Sequence, residues 1–477
     1  MIAALIILPL VAGFALFAFP RNADGAAKWF GVAIAAITVV LVLAGAGAPD
    51  ERVRWLARPF TASFHVGLGG FGYWIALLLA VVTMCALIGM RIVRQRDFTA
   101  QMLLLEGAMM GVFVAKDLLL FALFWDAMLI PVFLVMVAWS PHARSAWRYL
   151  IYNMVGGLAL LLATAAFGIA YGSTDVIGKT GLTPLGDVWA PWIFTGFALA
   201  FLIKTPVWPL HTWMPSTYAD SPSPLVAVVS AVQSKAGLYG FVVIGIPLFS
   251  HTMRAAVPLM MALGLVSLLY GAFVALVQTD AKRIVAYSSL SHLGLILLAV
   301  FSFNTVALEG ALVYIIAHGL FSAALFLTLG YVELREDTRD VTRLGGLASA
   351  NPRLAGALML ASLAALGLPG LAGFAGEVII LSGLFRAGLI AQSLIALVPI
   401  VLAAGYMLRL FQRIMHGPKN ADLPRRRDLG WAEGLALVPL VAAFVALGVD
   451  PRPITSLNEP ALSSVDVPRV SYASLAR

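Results

Sequence analysis

The sequence predicts an all-α integral membrane protein of about fourteen transmembrane helices. Three observations lead to that expectation. Hydrophobic residues fill 61% of the 477 positions and charged residues only 11%, whereas a soluble domain carries about 25% charged residues. Apolar runs repeatedly reach the ~20 residues that cross a bilayer as helix. The basic residues collect in the short segments between those runs. With so little polar material to cover a water-facing surface, a single membrane domain over residues 1–477 is the natural unit. The formal charge of +8 then reports membrane topology and does not point to nucleic acid.

Apolar windows bounded by charges, Gly and Pro lie near 1–20, 28–47, 73–93, 100–115, 117–139, 148–171, 191–218, 223–248, 252–278, 283–301, 305–331, 354–386, 388–414 and 430–449. The first begins at Met1 without a basic leader or a small-residue cleavage site, and is expected to be a retained span. Only Lys116-Asp117 separates the fourth window from the fifth. The tail 450–477 is polar and contains proline, which places it at the surface. Lys and Arg are nearly twice as numerous after odd-numbered windows as after even-numbered windows and at the termini, with Arg425-Arg426-Arg427 contributing most. The positive-inside rule then puts the odd loops in the cytoplasm and both termini outside.

Two windows are not simple helices. The seventh contains Lys204-Thr205-Pro206 followed by Pro209, and the twelfth contains Gly367-Leu368-Pro369-Gly370 followed by Gly373. Proline removes an amide donor and clashes with the preceding turn, and glycine relaxes the backbone. Such breaks persist at membrane depth where protein or a water-lined cavity satisfies the freed groups. Paired breaks in corresponding places suggest inverted repeats, here windows 4–8 (about 100–248) and 9–13 (about 252–414), although two such kinks can also arise independently.

Charges inside these windows carry the functional signal, because each costs at least ~2.5–3.5 kcal/mol at the bilayer centre on insertion scales. Asp126, Lys204, Lys235 and Glu377 all lie within long apolar stretches, and His211, His292 and His318 lie inside windows or at their edges. Together they read as a proton path, with an Asp126–Lys204 ion pair as its switch and histidines, whose ordinary pKa is near 6.5, as bridges. Plainer readings stand beside this one. A lone Lys or Asp also serves as a structural ion pair or a snorkelling side chain, and His292 and His318 as hydrogen-bonded core residues. His211 suits the membrane interface equally well. Glu106 and the Lys116-Asp117 turn read as anchors near span edges, and Trp125, Trp208 and Trp213 as packing residues.

Other chemistry is excluded by its missing signatures. The single cysteine, Cys85, lies inside a span, so neither an intrachain disulfide nor a Cys-based metal or iron–sulfur site is expected. Gly67-Leu68-Gly69-Gly70-Phe71-Gly72 has no βαβ context. No Walker sequence is present, and the histidines lack haem or metal spacing. The energy source is therefore an ion gradient or partner subunits.

The segments FALFWDAMLIPVFLVMVAW, FLIKTPVWPLHTWMP, KRIVAYSSLSHLGLILL, AHGLFSAALFLTLGYVELREDTRD followed by LGGL, and GLPGLAGFAGEVIIL resemble the subunit M family of bacterial NADH–quinone oxidoreductase. This is the family of mitochondrial complex I subunit 4, and the resemblance runs from about residue 100 to 415. It implies an antiporter-like, proton-pumping subunit with fourteen helices and two inverted five-helix repeats, in a bacterial inner membrane. Lys204 matches the lysine of the broken seventh helix, Lys235 that of the eighth, His292 and His318 the histidines of the central axis, and Glu377 the glutamate of the broken twelfth helix. Glu377 favours subunit M over the sister subunits L and N, which carry lysine there and are the implied partners. No cofactor is expected in this chain; flavin, iron–sulfur clusters and quinone belong to partner subunits. Asp126 departs from the family's usual glutamate, and its shorter side chain implies a bridging water or a shifted helix at Lys204. Residues 214–220 also depart from the usual proline-aspartate-alanine-histidine form, which suggests a divergent member. A multisubunit cation/proton antiporter or a hydrogenase-type complex remains an alternative host, and a non-transporting scaffold is the rival of a different class.

Overall fold

The computed structural model describes residues 1–179, 186, 188–418 and 427–456. Arg425, Arg426 and the tail from 457 onward lie outside the described residues. Helices α1 (Ala4–Leu16) and α2 (Asp24–Ala44) are followed by an antiparallel hairpin, β1 (Glu51–Leu56) and β2 (Ala62–Val66). Next come α3 (Gly70–Gly89), α4 (Gln95–Val114), α5 (Leu118–Ala127), α6 (Leu129–Trp139), α7 (Ala143–Tyr171), α8 (Ala190–Lys204) and α9 (Met214–Asp220). The chain continues through α10 (Ser223–Ala231), α11 (Ala236–Gly240), α12 (Ile246–Ala255), α13 (Val257–Val277), α14 (Ala281–Phe301) and α15 (Thr305–Glu336). It closes with α16 (Pro352–Ala365), α17 (Ala372–Arg386), α18 (Ile390–Met415) and α19 (Trp431–Val449).

Among the described residues, eleven helical segments are long and apolar enough to cross a membrane, and α1, α8 and α16 are shorter apolar helices. Helix lies in each window read from the sequence, and the boundaries account for most differences. α4 starts at Gln95, a full turn before the expected window. The two strands were not anticipated. They lie outside the spans, where residues 51–66 pair with each other and Thr61 bridges to Ser173 in the loop after α7. Asp117 and Asp175 hold this layer down. The Asp117 side chain accepts from the amides of Leu119 and Leu120 at the start of α5, from Ser63 N (2.9 Å) and from the Thr174 hydroxyl. Asp117 is thus the anchor expected of it, capping a helix and joining three segments. Asp175 meets His65 Nδ1 at 2.6 Å and Arg52 and Lys179 at 2.5 and 3.2 Å. Burial pushes its carboxyl up, but the hydrogen bonds and charges of His65 and Lys179 outweigh it and hold the group below its ordinary value. The glycine run before α3 connects this antiparallel hairpin to a helix and forms no parallel βαβ unit.

The helices sort by what surrounds them. The apolar windows of α14 and α15 are 94% and 100% buried inside the protein, whereas α19 is 28% buried and displays Val438 and Leu435 outward. α14 and α15 therefore form the centre, and the peripheral helices offer apolar side chains to lipid. α13 reaches α14 closely because Gly271 and Gly294 leave no side chain between the backbones: a Cβ at Gly271 would stand 2.6 Å from Ser291 N. α19 is tied to this centre by charge. Glu433 is buried between Arg335 of α15 (2.7 Å) and Arg91 beyond α3 (3.2 Å). Removing one partner of such a buried pair costs on the order of 3–5 kcal/mol, because the other charge is left uncompensated.

Candidate functional site

The two sequence-predicted breaks are present. α8 stops at Lys204, where Thr205 turns extended, and helix resumes at Met214. The freed backbone groups find partners within the protein: Trp213 Nε1 donates to the Ile203 carbonyl (3.0 Å), and Trp208 N donates to Ser267 Oγ (2.9 Å). Neighbouring side chains thus satisfy the interruption. Lys204 occupies the last turn of α8, where a cation complements the helix dipole. In the second break, α16 ends at Ala365 and α17 begins at Ala372, with Gly367 and Gly370 at φ +75° and +90°. These are conformations that glycine adopts without steric cost.

A third irregularity surrounds Lys235 and carries no proline signal. α10 ends at Ala231, a tight turn spans Gln233–Lys235, and a wide turn over Phe241–Gly245 separates α11 from α12. Gly237 permits it: a Cβ there would stand 2.1 Å from the Phe201 carbonyl oxygen and 2.4 Å from Thr205 Oγ1. The Lys235 turn is thereby pressed against the Lys204 break. Wide turns of this kind gather at functional sites.

The charged residues follow these breaks across the molecule. Asp126 lies in the last turn of α5, just before the short discontinuity at Met128. Its carboxylate fills the niche left by Gly157 of α7, where a Cβ would meet Oδ1 at 1.7 Å. Lys204 Nζ lies 5.0 Å from the centre of the Trp125 ring and makes no hydrogen bond or ion pair with the described residues. Asp126 and Lys204 interact electrostatically without touching, as the shorter aspartate side chain implied. Lys235 is fully buried and donates to the Ser230 carbonyl and to Ser234 Oγ (3.4 Å). Ser230 also accepts from Ser322 of α15 (3.0 Å), one turn beyond His318. Lys235 acts electrostatically on both His292 and His318. Those two rings stand 5.3 Å apart, and His292 is 5.7 Å from the Tyr314 ring. The Tyr314 hydroxyl then donates to Glu377 at 2.6 Å. Glu377 itself sits over Gly367, whose Cβ would be 2.3 Å from Oε2.

All six sequence-predicted residues therefore fall along one interior row, running from α5 to α17. Five are buried, and Asp126 is half-buried. Neither ring nitrogen of His292 or His318 has a hydrogen-bond partner among the described residues. Buried polar atoms are costly without partners, and water is the small molecule able to serve such a row. His211 is buried against Tyr270 (5.2 Å). Sequence reasoning missed Tyr314, whose hydroxyl gave no signal among so many aromatic core residues. It also placed Glu106 at a span edge. With α4 starting at Gln95, Glu106 falls mid-helix, fully buried, and neither carboxylate oxygen has a partner among the described residues.

Long apolar helices, two broken spans and a buried row of titratable groups define a multi-pass membrane protein of the ion-translocating kind. The family described as NADH:quinone oxidoreductase/Mrp antiporter, TM, matches residues 115–403, and the chain belongs to it. The NADH-quinone oxidoreductase subunit M of Rhodobacter capsulatus is 32% identical, with 96% of this chain and 94% of that protein covered. The corresponding protein of Pseudomonas aeruginosa is 31% identical over 97% and 96%. A chain of respiratory complex I from Thermus thermophilus superimposes with a TM-score of 0.87 at 31% identity, covering 98% of this chain and 100% of that one. A chain of the Mrp complex from Dietzia shares the fold, with a TM-score of 0.81 at 20% identity over 99% and 98%.

Proposed function

We propose that this chain is the proton-translocating, antiporter-like subunit M of a bacterial NADH:quinone oxidoreductase. The observation that carries this reading is the interior row itself, in which Lys204, Lys235 and Glu377 are buried at the breaks of three spans, with His292 and His318 buried on the unbroken α14 and α15. Quinone reduction in partner subunits changes the charge along this row. With Asp126 near, Lys204 keeps its proton. When the carboxylate withdraws, Nζ gives the proton to water leading to Lys235. From there it passes through the imidazoles of His292 and His318, each nitrogen accepting as the other donates, to the Glu377 carboxylate. The ammonium, imidazolium and carboxyl forms each give up one proton and are restored by one arriving, so no other reactant is needed.

On this reading the breaks at Lys204 and Gly367 mark equivalent helices of two inverted units, about 100–248 and 252–414. Both termini face the periplasm of the inner membrane. Sister subunits L and N are the neighbours, while flavin, iron–sulfur clusters and quinone reside elsewhere in the assembly. Mild-detergent isolation of the tagged chain, followed by mass spectrometry, tests the host. Co-isolation with flavin and iron–sulfur subunits that oxidise NADH is the expected result. Partners consisting only of antiporter subunits would transfer the same row to cation exchange.

The position of Asp126 gives a narrower test. Gly157→Ala puts a methyl group where Oδ1 now lies, and overpacking of this kind typically costs 1–3 kcal/mol and displaces the neighbour. Pumping in the assembled complex should fall several-fold while quinone reduction persists. Pumping equal to wild type would show that the placement of this carboxylate is immaterial.

A further inference from the structure

The end of α18 carries a cationic cavity that the proton row does not use. It has a volume of about 450 Å³ and is lined by Arg409, Arg413 and His416 together with Arg343 and Gly345 of the loop after α15. Among the described residues, no acidic side chain lines it. Basic residues suit the C-terminal turn of any helix, but that preference accounts for neither the concave shape nor the residues supplied from a second loop.

The rest of the same helix face indicates what fills the cavity. Arg409, Gln412 and Arg413 are spaced by one, three or four residues and share one side of α18, with His416 just past its end. Continuing backward in the same steps reaches Gly405, Val401, Val398 and Leu394, all exposed, with Val401 at 72%. Beside this stripe α13 exposes Phe273 and Val277, and Arg409 donates to the Leu276 carbonyl, which joins the two helices at the cavity's rim. From Val398 to Arg409 the helix rises about 16 Å, close to the ~15 Å depth of one leaflet's hydrocarbon. An apolar strip one leaflet deep that ends in arginines matches the two halves of a phospholipid. The cavity also opens among the odd-numbered loops, the Lys/Arg-rich side of the protein, where anionic headgroups concentrate.

We propose that this face of α18 binds an anionic phospholipid, with its phosphate between Arg409 and Arg413 and its acyl chains along the α13–α18 surface. Arginine suits this role because its planar donors match phosphate oxygens in pairs.

The test uses the intact complex, extracted in mild detergent from its native membrane, with retained lipids counted by mass spectrometry. Relative to wild type, a complex carrying Arg409→Gln and Arg413→Gln should lose about one anionic phospholipid. It should also lose the thermal stabilisation that phosphatidylglycerol nanodiscs give over phosphatidylcholine nanodiscs. Arg413→Lys should retain much of both. Equal lipid retention in variant and wild type would overturn the proposal. Full stabilisation of the wild type by millimolar inorganic phosphate alone would do so as well, assigning the cavity to a free anion. A neighbouring subunit crosslinking to a photoreactive residue at position 413 would overturn it in favour of protein docking. If the double variant does not assemble, the same lipid count on Arg413→Gln alone decides, since that exposed side chain makes no hydrogen bond with the described residues.

Discussion

Replacing Lys204 with alanine should abolish proton pumping in the assembled complex, lowering protons moved per NADH oxidised by tenfold or more, while leaving quinone reduction measurable. Three features put the largest effect here. Nζ sits at the end of the broken helix, above the Trp125 ring and within electrostatic range of Asp126. Asp126 and Lys204 make no ion pair, and Asp126 Oδ1 has no hydrogen-bond partner among the described residues, so none of these holds the carboxylate once the lysine is gone. The Gly237–Phe201 contact places the next lysine against the same break, so one deletion severs the row at its start. Lys204→Arg separates two explanations of the loss. Arginine preserves the positive charge but does not release its proton under physiological conditions. If the residue acts only as a counter-charge, arginine should restore pumping; if it passes protons, arginine should fail as alanine does. Unchanged pumping stoichiometry in Lys204→Ala would remove this residue from the mechanism. Proton uptake into sealed vesicles, measured beside NADH oxidation, reads both quantities at once.

At the far end of the row, Glu377→Gln should cost nearly as much. The amide has almost the same shape and can still accept the hydrogen bond from Tyr314, so packing against Gly367 should survive. What disappears is the group's ability to take up and release a proton. Pumping is expected to fall by an order of magnitude with assembly intact. Tyr314→Phe supplies the graded comparison: it removes the 2.6 Å hydrogen bond but leaves the carboxyl group. The net value of one such bond to a charged group is about 1.5–3 kcal/mol, so its loss should slow pumping and shift its pH profile without abolishing it. If both variants pump like wild type, the row ends before α17 and the outlet lies elsewhere. If Tyr314→Phe is as severe as Glu377→Gln, the tyrosine hydroxyl is itself a carrier.

The charged residues were legible because a bilayer penalises them so heavily that each one stands out against its apolar surroundings. Asp126, Lys204, Lys235 and Glu377 needed no neighbours to be noticed. The breaks at Lys204 and Gly367 were equally legible, because Pro and Gly act on the backbone locally. The irregular turn at Lys235 was not. It depends on Gly237 meeting the Phe201 carbonyl of another helix, and glycine in an apolar stretch is consistent with either close packing or a bend. The hairpin at 51–66 was hidden for a related reason: the fourteen-span reading looked for long apolar runs, and this pairing occurs in a polar connection anchored by Asp117 and Asp175.

By itself, then, the sequence determined that the chain is helical and membrane-embedded, which residues carry charge into the interior, and where two spans must break. These follow from composition and from local backbone chemistry. Only the tertiary structure decided that Asp126 and Lys204 face each other without contact, and that Glu106 is buried mid-helix. It alone decided that the hydroxyl of Tyr314 completes the link from His292 to Glu377. Those relations join residues distant in the chain, 63 positions apart for Tyr314 and Glu377 alone. They depend on which helix faces meet, and a periodic apolar pattern does not encode that when every side of a buried helix is apolar.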